Sequence, residues 1–437
     1  MRLIRAFVRS AAYERRFFSK NPWDLAMVVW IPLATVLLIW WIFSQTQITD
    51  LPIGVIDQDN GPVANTLVRY LEASPDITVK QLYYSPATAK DAILQRDIYA
   101  VVIIPQDFSR NILSGKPSPL VLQVNAQYGT HSGIIQKSVQ SVAGTLSAGV
   151  EMQRLVKQGM APSQAAIAYS PIGIQRVSLF NAATNYQQFL ASTVIPALLH
   201  ILAMVIGATT IGRELRDKQL GRWYRFIANG SPINNSLANN GLDSNNLESK
   251  NPNLTLSIND TLENQLIAPK QVSILMLLSG LAGKFFWPTL AYSLWSALAL
   301  WLAIGQQEIA SASIMATYLG LVVLMILSFW LGAIFTLGSF SLRTGLSATG
   351  FISAPSYAFA GVTFPYIAIS ESAKHWSDAL PLTHYLKLHI AQLQMQAPAA
   401  ISLPIVYGLV IATAIAMLIT ALLTKRALAH PERWGAR

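Results

Sequence analysis

The chain has 437 residues, of which 52% are hydrophobic and 12% charged. A soluble globular domain carries about 25% charged residues, so the composition excludes a wholly soluble protein. The net charge of +10 lies beside apolar runs, where anionic lipid and topology require it, rather than in a nucleic-acid patch, and the absence of cysteine excludes disulfides, thiol catalysis and cysteine-ligated metal.

Residues 1–22 read as an amphipathic interface helix. Arg2, Arg5, Arg9 and Arg16 fall on one face, and Leu3, Ile4, Phe7, Ala11 and Phe18 on the other. A basic amphipathic helix leading into a span is expected along the cytoplasmic membrane surface. Two readings of it stand: a lipid-bound leader, and a docking surface for a cytoplasmic partner. Residues 23–43 form the first span, with Leu25–Phe43 free of Asp, Glu, Lys and Arg. No small-x-small cleavage site follows Phe43, so the segment reads as a retained anchor.

Residues 44–187 change character and predict an α/β domain with a long helix. Strands are expected at Ile53–Ile56, Ile77–Leu82, Tyr99–Ile104 and Leu120–Val124. Helices are expected at Pro62–Leu71, Pro86–Gln95, Phe108–Leu113 and over residues 130–158. Asp57 and Asp59 resemble the start of a calcium loop, but Gly61 arrives one position early and no glutamate closes the loop. They read as a strand-to-helix turn with aspartate capping the helix. Ser132, Ser138 and His131 form no nucleophile elbow.

The second span covers residues 188–211. A charged cytoplasmic segment follows over 212–284 and opens Gly212-Arg-Glu-Leu-Arg-Asp. Positive-inside topology explains its arginines but not Glu214 and Asp217. Residues 229–266 are Asn-rich and read as a loosely ordered insertion. Pro269–Lys284 then reads as an amphipathic helix returning to the membrane. Residues 285–437 hold four further spans, Phe285–Ile304, Ser311–Leu337, Gly345–Phe364 and Ser402–Thr424, with an outer amphipathic segment at 366–400 and a basic tail. The distribution of Lys and Arg places both termini in the cytoplasm.

No stretch matches a phosphate-binding G-x-x-x-x-G-K-[ST] loop. The six apolar runs contain no Asp, Glu, Lys or Arg, and His200 is their one histidine. An ion-driven carrier needs ionisable groups in the membrane. His200 reads as a hydrogen-bonding partner of a neighbouring helix. His375, His384 and His389 do not have zinc-ligand spacing, so no metal site is expected. Transport, if it occurs, would draw its energy from a separate ATPase.

Four stretches together resemble the permease subunit of a type-2 family ABC transporter, in the branch with a large periplasmic domain after the first span. They are Leu51-Pro-Ile-Gly-Val-Ile-Asp-Gln-Asp-Asn with Val101-Val-Ile-Ile-Pro-Gln-Asp-Phe-Ser; Leu179-Phe-Asn-Ala; Gly212-Arg-Glu-Leu-Arg-Asp; and Ala360-Gly-Val-Thr-Phe-Pro with Leu380-Pro-Leu-Thr-His-Tyr. The chain departs from the family pattern at Lys218-Gln-Leu-Gly-Arg and in the Asn-rich insertion. The resemblance implies a polytopic α-helical protein of six transmembrane helices with an inserted α/β extracytoplasmic domain, in a bacterial inner membrane. It implies a second permease chain, a cytoplasmic ATPase that binds the ATP, membrane lipid, and a possible periplasmic adaptor. It further implies export of a drug-like, lipid-like or polymeric substrate, with no catalysis by this chain. By that resemblance Arg213, Glu214, Arg216 and Asp217, with Arg5, Phe7 and Arg9 of the leader helix, would meet the ATPase. A membrane-anchored periplasmic scaffold or receptor is the alternative, and an ion-coupled carrier a third reading.

Overall fold

The structure is a computed structural model that describes residues 1–169, 180–181, 185–229, 272–305 and 307–435. The Asn-rich insertion lies outside the described residues, as does the start of the helix expected at Pro269–Lys284. The chain divides into two compact units, Gln47–Leu179 and the remainder, Met1–Thr46 with Phe180–Arg437.

The smaller unit is a sheet with helices on both faces. Its strands are β1 (Leu51–Asp57), β2 (Ile77–Leu82), β3 (Ala100–Ile104) and β4 (Val121–Val124), in spatial order β2-β1-β3-β4. β1 runs parallel to β2 and to β3, with Leu51 opposite Ile77 and Val55 opposite Val102. β4 is antiparallel to β3, with Leu122 opposite Val102. Parallel strands covered on both faces are apolar throughout rather than alternating, and Ile53–Ile56 is buried without interruption.

Leu51, Ile53 and Val55 face a core built with α4 (Pro62–Glu72), α6 (Phe108–Leu113) and α7 (Gly129–Lys157). Ile56 and Val101 face the other way, against Ala89 of α5 (Pro86–Leu94). Gly54 is required where it stands, because a Cβ there would press into the Tyr83 ring at 2.7 Å. α8 (Pro162–Tyr169) follows α7.

Asp57 and Asp59 hold the turn after β1 rather than cap α4, and Asp59 Oδ2 also accepts the Ser109 amide in the first turn of α6 at 3.1 Å. Asp57 Oδ1 accepts the Asp59 and Asn60 amides at 2.9 and 3.0 Å, and Asp59 Oδ2 accepts the Gly61 amide at 3.2 Å. The cap of α4 comes from elsewhere. Ser109 Oγ accepts the Val63 and Ala64 amides at 3.1 and 3.2 Å. Pro62 at the first helical position has no amide to satisfy.

The larger unit is helical. It begins with α1 (Arg2–Lys20), α2 (Pro22–Val28) and α3 (Trp30–Ile42), followed after the smaller unit by α9 (Ser192–Arg216) and α10 (Leu220–Asn229). It continues with α11 (Ile274–Ile304), α12 (Ser311–Ser339), α13 (Leu342–Ser353), α14 (Ser356–Phe359), α15 (Glu371–Ala379), α16 (Pro381–His389) and α17 (Ala399–Ala429). Among the described residues, Gln187–Arg216, α11, α12 and α17 are long and apolar enough to cross a membrane, and α2 with α3 makes up to a fifth span bent by 40°. At that bend Pro32 cannot donate to the Val28 carbonyl. The indole of Trp295 takes that carbonyl instead, at 3.2 Å.

α9 and α12 form the centre of the bundle. A Cβ on Gly207 would collide with the Phe329 carbonyl, and one on Gly332 with the Met204 carbonyl, so the two backbones are in direct contact. His200 shares a 2.7 Å hydrogen bond with Ser328 across the same interface, which is the helix partner expected of it.

Gly345–Phe364, expected as one span, is not a continuous helix. α13 ends at Ser353 after 12 residues, about 18 Å, too short for a hydrocarbon core of about 30 Å. Pro355 removes an amide at the break, and Gly361 at φ 79° turns the chain again. Hydropathy registers the composition of such a segment but not its interruption.

Candidate functional site

The most strongly polar feature of the bundle is a buried charge cluster where α1, α9 and α11 meet. α1 buries part of the apolar face that periodicity picks out, at Ala11 and Phe18. It also buries the flank beside that face, where Ala6, Ser10 and Glu14 follow at intervals of four. The small side chains of Ala6 and Ser10 allow close approach to α11. A Cβ on Gly283 would strike the Phe7 carbonyl and come within 2.8 Å of Ser10 Cβ. One turn of backbone contact at Gly283 places the next residue, Lys284, directly against α1.

Lys284 is fully buried and donates to two carboxylates, Glu14 Oε1 at 2.6 Å and Glu214 Oε1 at 2.7 Å. Glu14 is also fully buried, and its other oxygen accepts from Arg213 Nη2. Arg213 is 6% exposed and Glu214 2%. The four charges sum to zero. Asp24 of α2 stands at the edge, 3.8 Å from Arg213 Nη1.

Aromatic rings shield the cations. The Arg213 guanidinium lies 3.8 Å from the Phe17 ring centre, and the Lys284 ammonium 4.9 and 5.2 Å from Tyr13 and Trp223. Trp223 of α10 donates to Ser10 Oγ at 3.1 Å, and Trp287 donates to the Ala11 carbonyl at 2.9 Å.

Burial alone would raise the Glu14 carboxyl, but Arg213 and Lys284 outweigh it and hold the group below its ordinary value. Tyr13 is pushed up, first by burial and then by the negative charges of Glu214 and Glu14. Glu14 is therefore held in its ionised form. Among the described residues, Arg213 Nε has no hydrogen-bond partner.

Removing one member strands a buried charge, so α1, α9 and α11 are held together as one body at this point. Arg9 adds a further tie by donating to the Ile227 carbonyl at 3.2 Å near the end of α10, where a cation suits the helix dipole. Phe7 meets Phe286 edge-on, with centroids 5.5 Å apart.

The sequence-predicted residues are thus divided. Arg213 and Glu214 lie inside the cluster. Arg216 and Asp217 do not join it and pair with each other on the exposed side, at 2.8 and 3.1 Å. Arg5 is exposed. Glu14 and Lys284 carry half the cluster and escape sequence reading. The apolar run starting at Phe285 excludes Lys284, yet α11 begins at Ile274 and includes it.

The remaining candidates do not converge. His375 bonds to the Glu371 carbonyl, His384 to the Asp378 carbonyl and His389 to the Tyr385 hydroxyl. Among the described residues, no group of three His, Cys, Asp or Glu is placed to hold a metal ion. Ser138 donates to Asp76 at 2.6 Å, and His131 stacks on Tyr99 at 4.8 Å.

Fold and site together define a multi-pass helical membrane protein whose leader helix is tied by buried ion pairs to two of its spans. Residues 22–225 match the model of the family described as ABC-2 family transporter protein, in line with the resemblance to a type-2 ABC transporter permease. The match takes in Arg213 and Glu214, while Glu14 and Lys284 lie on either side of it. No curated protein matches the chain.

Proposed function

We propose that the chain is the membrane-spanning subunit of an ATP-driven exporter in a bacterial inner membrane. It pairs with a second permease chain and is moved by a separate cytoplasmic ATPase, which binds the ATP. Its termini are cytoplasmic, α13 with α14 completes a sixth, broken passage, and the smaller unit is extracytoplasmic. The substrate class is drug-like or lipid-like.

The observation that carries this reading is the buried cluster of Glu14, Lys284, Glu214 and Arg213. A motor outside the membrane can move spans only through a stiff connection. α1 is joined to the end of α9 and to α11 at Lys284 by charges that cannot separate cheaply. A push on the exposed side of α1 or on Arg216 and Asp217 would then reach both spans as rigid-body motion. Work enters as the differential affinity of nucleotide for two arrangements of the ATPase.

Purification of the intact complex, with Asp217→Arg as the variant, tests this. Asp217 is exposed, so its reversal leaves the cluster and membrane insertion intact. The expected result is co-purification of an ATPase with the wild type, and loss of stimulated ATP hydrolysis and of export in the variant. A chain that retains no ATPase and moves no solute would be a membrane-anchored scaffold. A wild type that transports on a proton gradient with ATP held constant would be a carrier.

A further inference from the structure

α7 is longer than the sheet it covers. Its 29 residues span about 43 Å, against roughly 23 Å for the seven residues of β1. Ile135, Val139, Val142, Leu146 and Val150 recur at intervals of three and four as one apolar stripe. The stripe is buried at Ile135 and Val139, and no residue of α7 beyond Val139 is buried. Its second half lines a groove shared with α4.

The groove consists of two hollows of about 410 and 350 Å³ that have Tyr70 and Thr145 in common. Each lies in the size range of small-molecule sites, about 300–1,000 Å³. The smaller hollow is apolar along Val63, Ile112, Leu113, Leu146 and Val150, and ends at Arg154 and Lys157. Leu113 is 63% exposed, a large apolar side chain facing the opening.

The charges are uneven. Glu151 pairs with one Arg154 nitrogen at 2.7 Å, and no carboxylate among the described residues pairs with Lys157. In the larger hollow, Lys137 also has no ion-pair partner among the described residues. Asp76, the acid there, already accepts the Ser138 hydroxyl.

We infer that this groove binds an anionic amphiphile, with its apolar chain along the α7 stripe and its acidic head at Arg154 and Lys157. A neutral apolar ligand would leave the basic end unused, and a cationic one would be repelled by it. The inference does not depend on the export reading, since a scaffold with this surface would bind the same class.

The test is photolabelling of the full-length protein in lipid nanodiscs, using dodecanoic acid bearing a diazirine on its chain and the matching alcohol as control. Adducts are located by peptide mass spectrometry. The acid is expected to label residues 142–157 and the Ile112–Leu113 segment. Arg154→Glu with Lys157→Glu should cut labelling by the acid about tenfold and leave the alcohol unchanged. Leu146→Asp should reduce labelling by both probes while far-ultraviolet dichroism stays unchanged. Adducts confined to the spans would overturn the inference. So would equal labelling of the wild type and the charge-reversed variant.

Discussion

Lys284 Nζ stands 2.6 Å from Glu14 Oε1, an ion pair between residues 270 positions apart with both side chains fully buried. Because Lys284 also holds Glu214 at 2.7 Å, it is the shared cation of two carboxylates. Lys284→Met would leave two glutamates with Arg213 alone. Stranding a buried charge costs about 3–5 kcal/mol. A large drop in the apparent melting temperature of the detergent-solubilised chain is expected. The double variant Lys284→Met with Glu214→Met restores neutrality and should recover part of that loss, which a double-mutant cycle would read as coupling. Additive losses would show that Lys284 and Glu214 do not interact.

The same cluster sets an acid limit. Glu14 has its folded value lowered from the ordinary 4.5 by Arg213 and Lys284, against the opposing effect of burial. A depressed carboxyl contributes stability that is fully present above its unfolded value and is lost as pH falls through the folded value. Stability of the helical unit should therefore fall with decreasing pH below 4.5. Glu14→Gln should be less stable at neutral pH and show a shallower acid limb. Melting curves at stepped pH would check the sign, and an unchanged acid limb in the variant would rule it out.

The contact between α9 and α12 tolerates no side chain at Gly207 or Gly332, because a Cβ at either would meet backbone rather than a movable side chain. Gly332→Val should force the helices apart at a cost of about 1–3 kcal/mol. It should also weaken the His200–Ser328 hydrogen bond, 2.7 Å in the wild type, since both contacts share one interface. Gly338→Val on the same helix meets nothing within 4 Å and serves as the control. Protease resistance of the two variants, measured side by side, should separate them.

The smaller unit was legible because its signals are local. Strands and helices alternate with turn residues between them, and the expected helix at residues 130–158 is observed as Gly129–Lys157. Of the buried cluster, the sequence singled out Arg213 and Glu214, but as contacts to another protein rather than to α1 and α11. An acid directly after a span, as at Glu214, is unusual enough to single out. Glu14 stands among arginines, and Lys284 sits at the edge of an apolar run, where positive-inside topology already accounts for it. Their pairing comes from tertiary contact across 270 positions. The available hints were the small residues Ala6 and Ser10 at intervals of four before Glu14, and Gly280 and Gly283 before Lys284. The broken span was illegible to hydropathy for a different reason. Ala354-Pro355 and Gly361 change backbone geometry without changing apolar content.

Ser109 makes a last prediction of a different kind. A helix start needs acceptors for its first amides, and these normally come from the residue just before it. Gly61 has no side chain to offer, and Asp59 is engaged by the Gly61 and Ser109 amides at 3.2 and 3.1 Å. The acceptor for α4 is therefore Ser109 Oγ, 46 positions away from Val63. Ser109→Ala should cost about 1 kcal/mol, as loss of an adjacent cap does. The cost should appear as faster hydrogen exchange at Val63 and Ala64 with little change at the end of α4. Ser109→Thr keeps the hydroxyl and should restore protection. If Ser109→Ala exchanges like the wild type at those two amides, water caps α4 and the serine is dispensable.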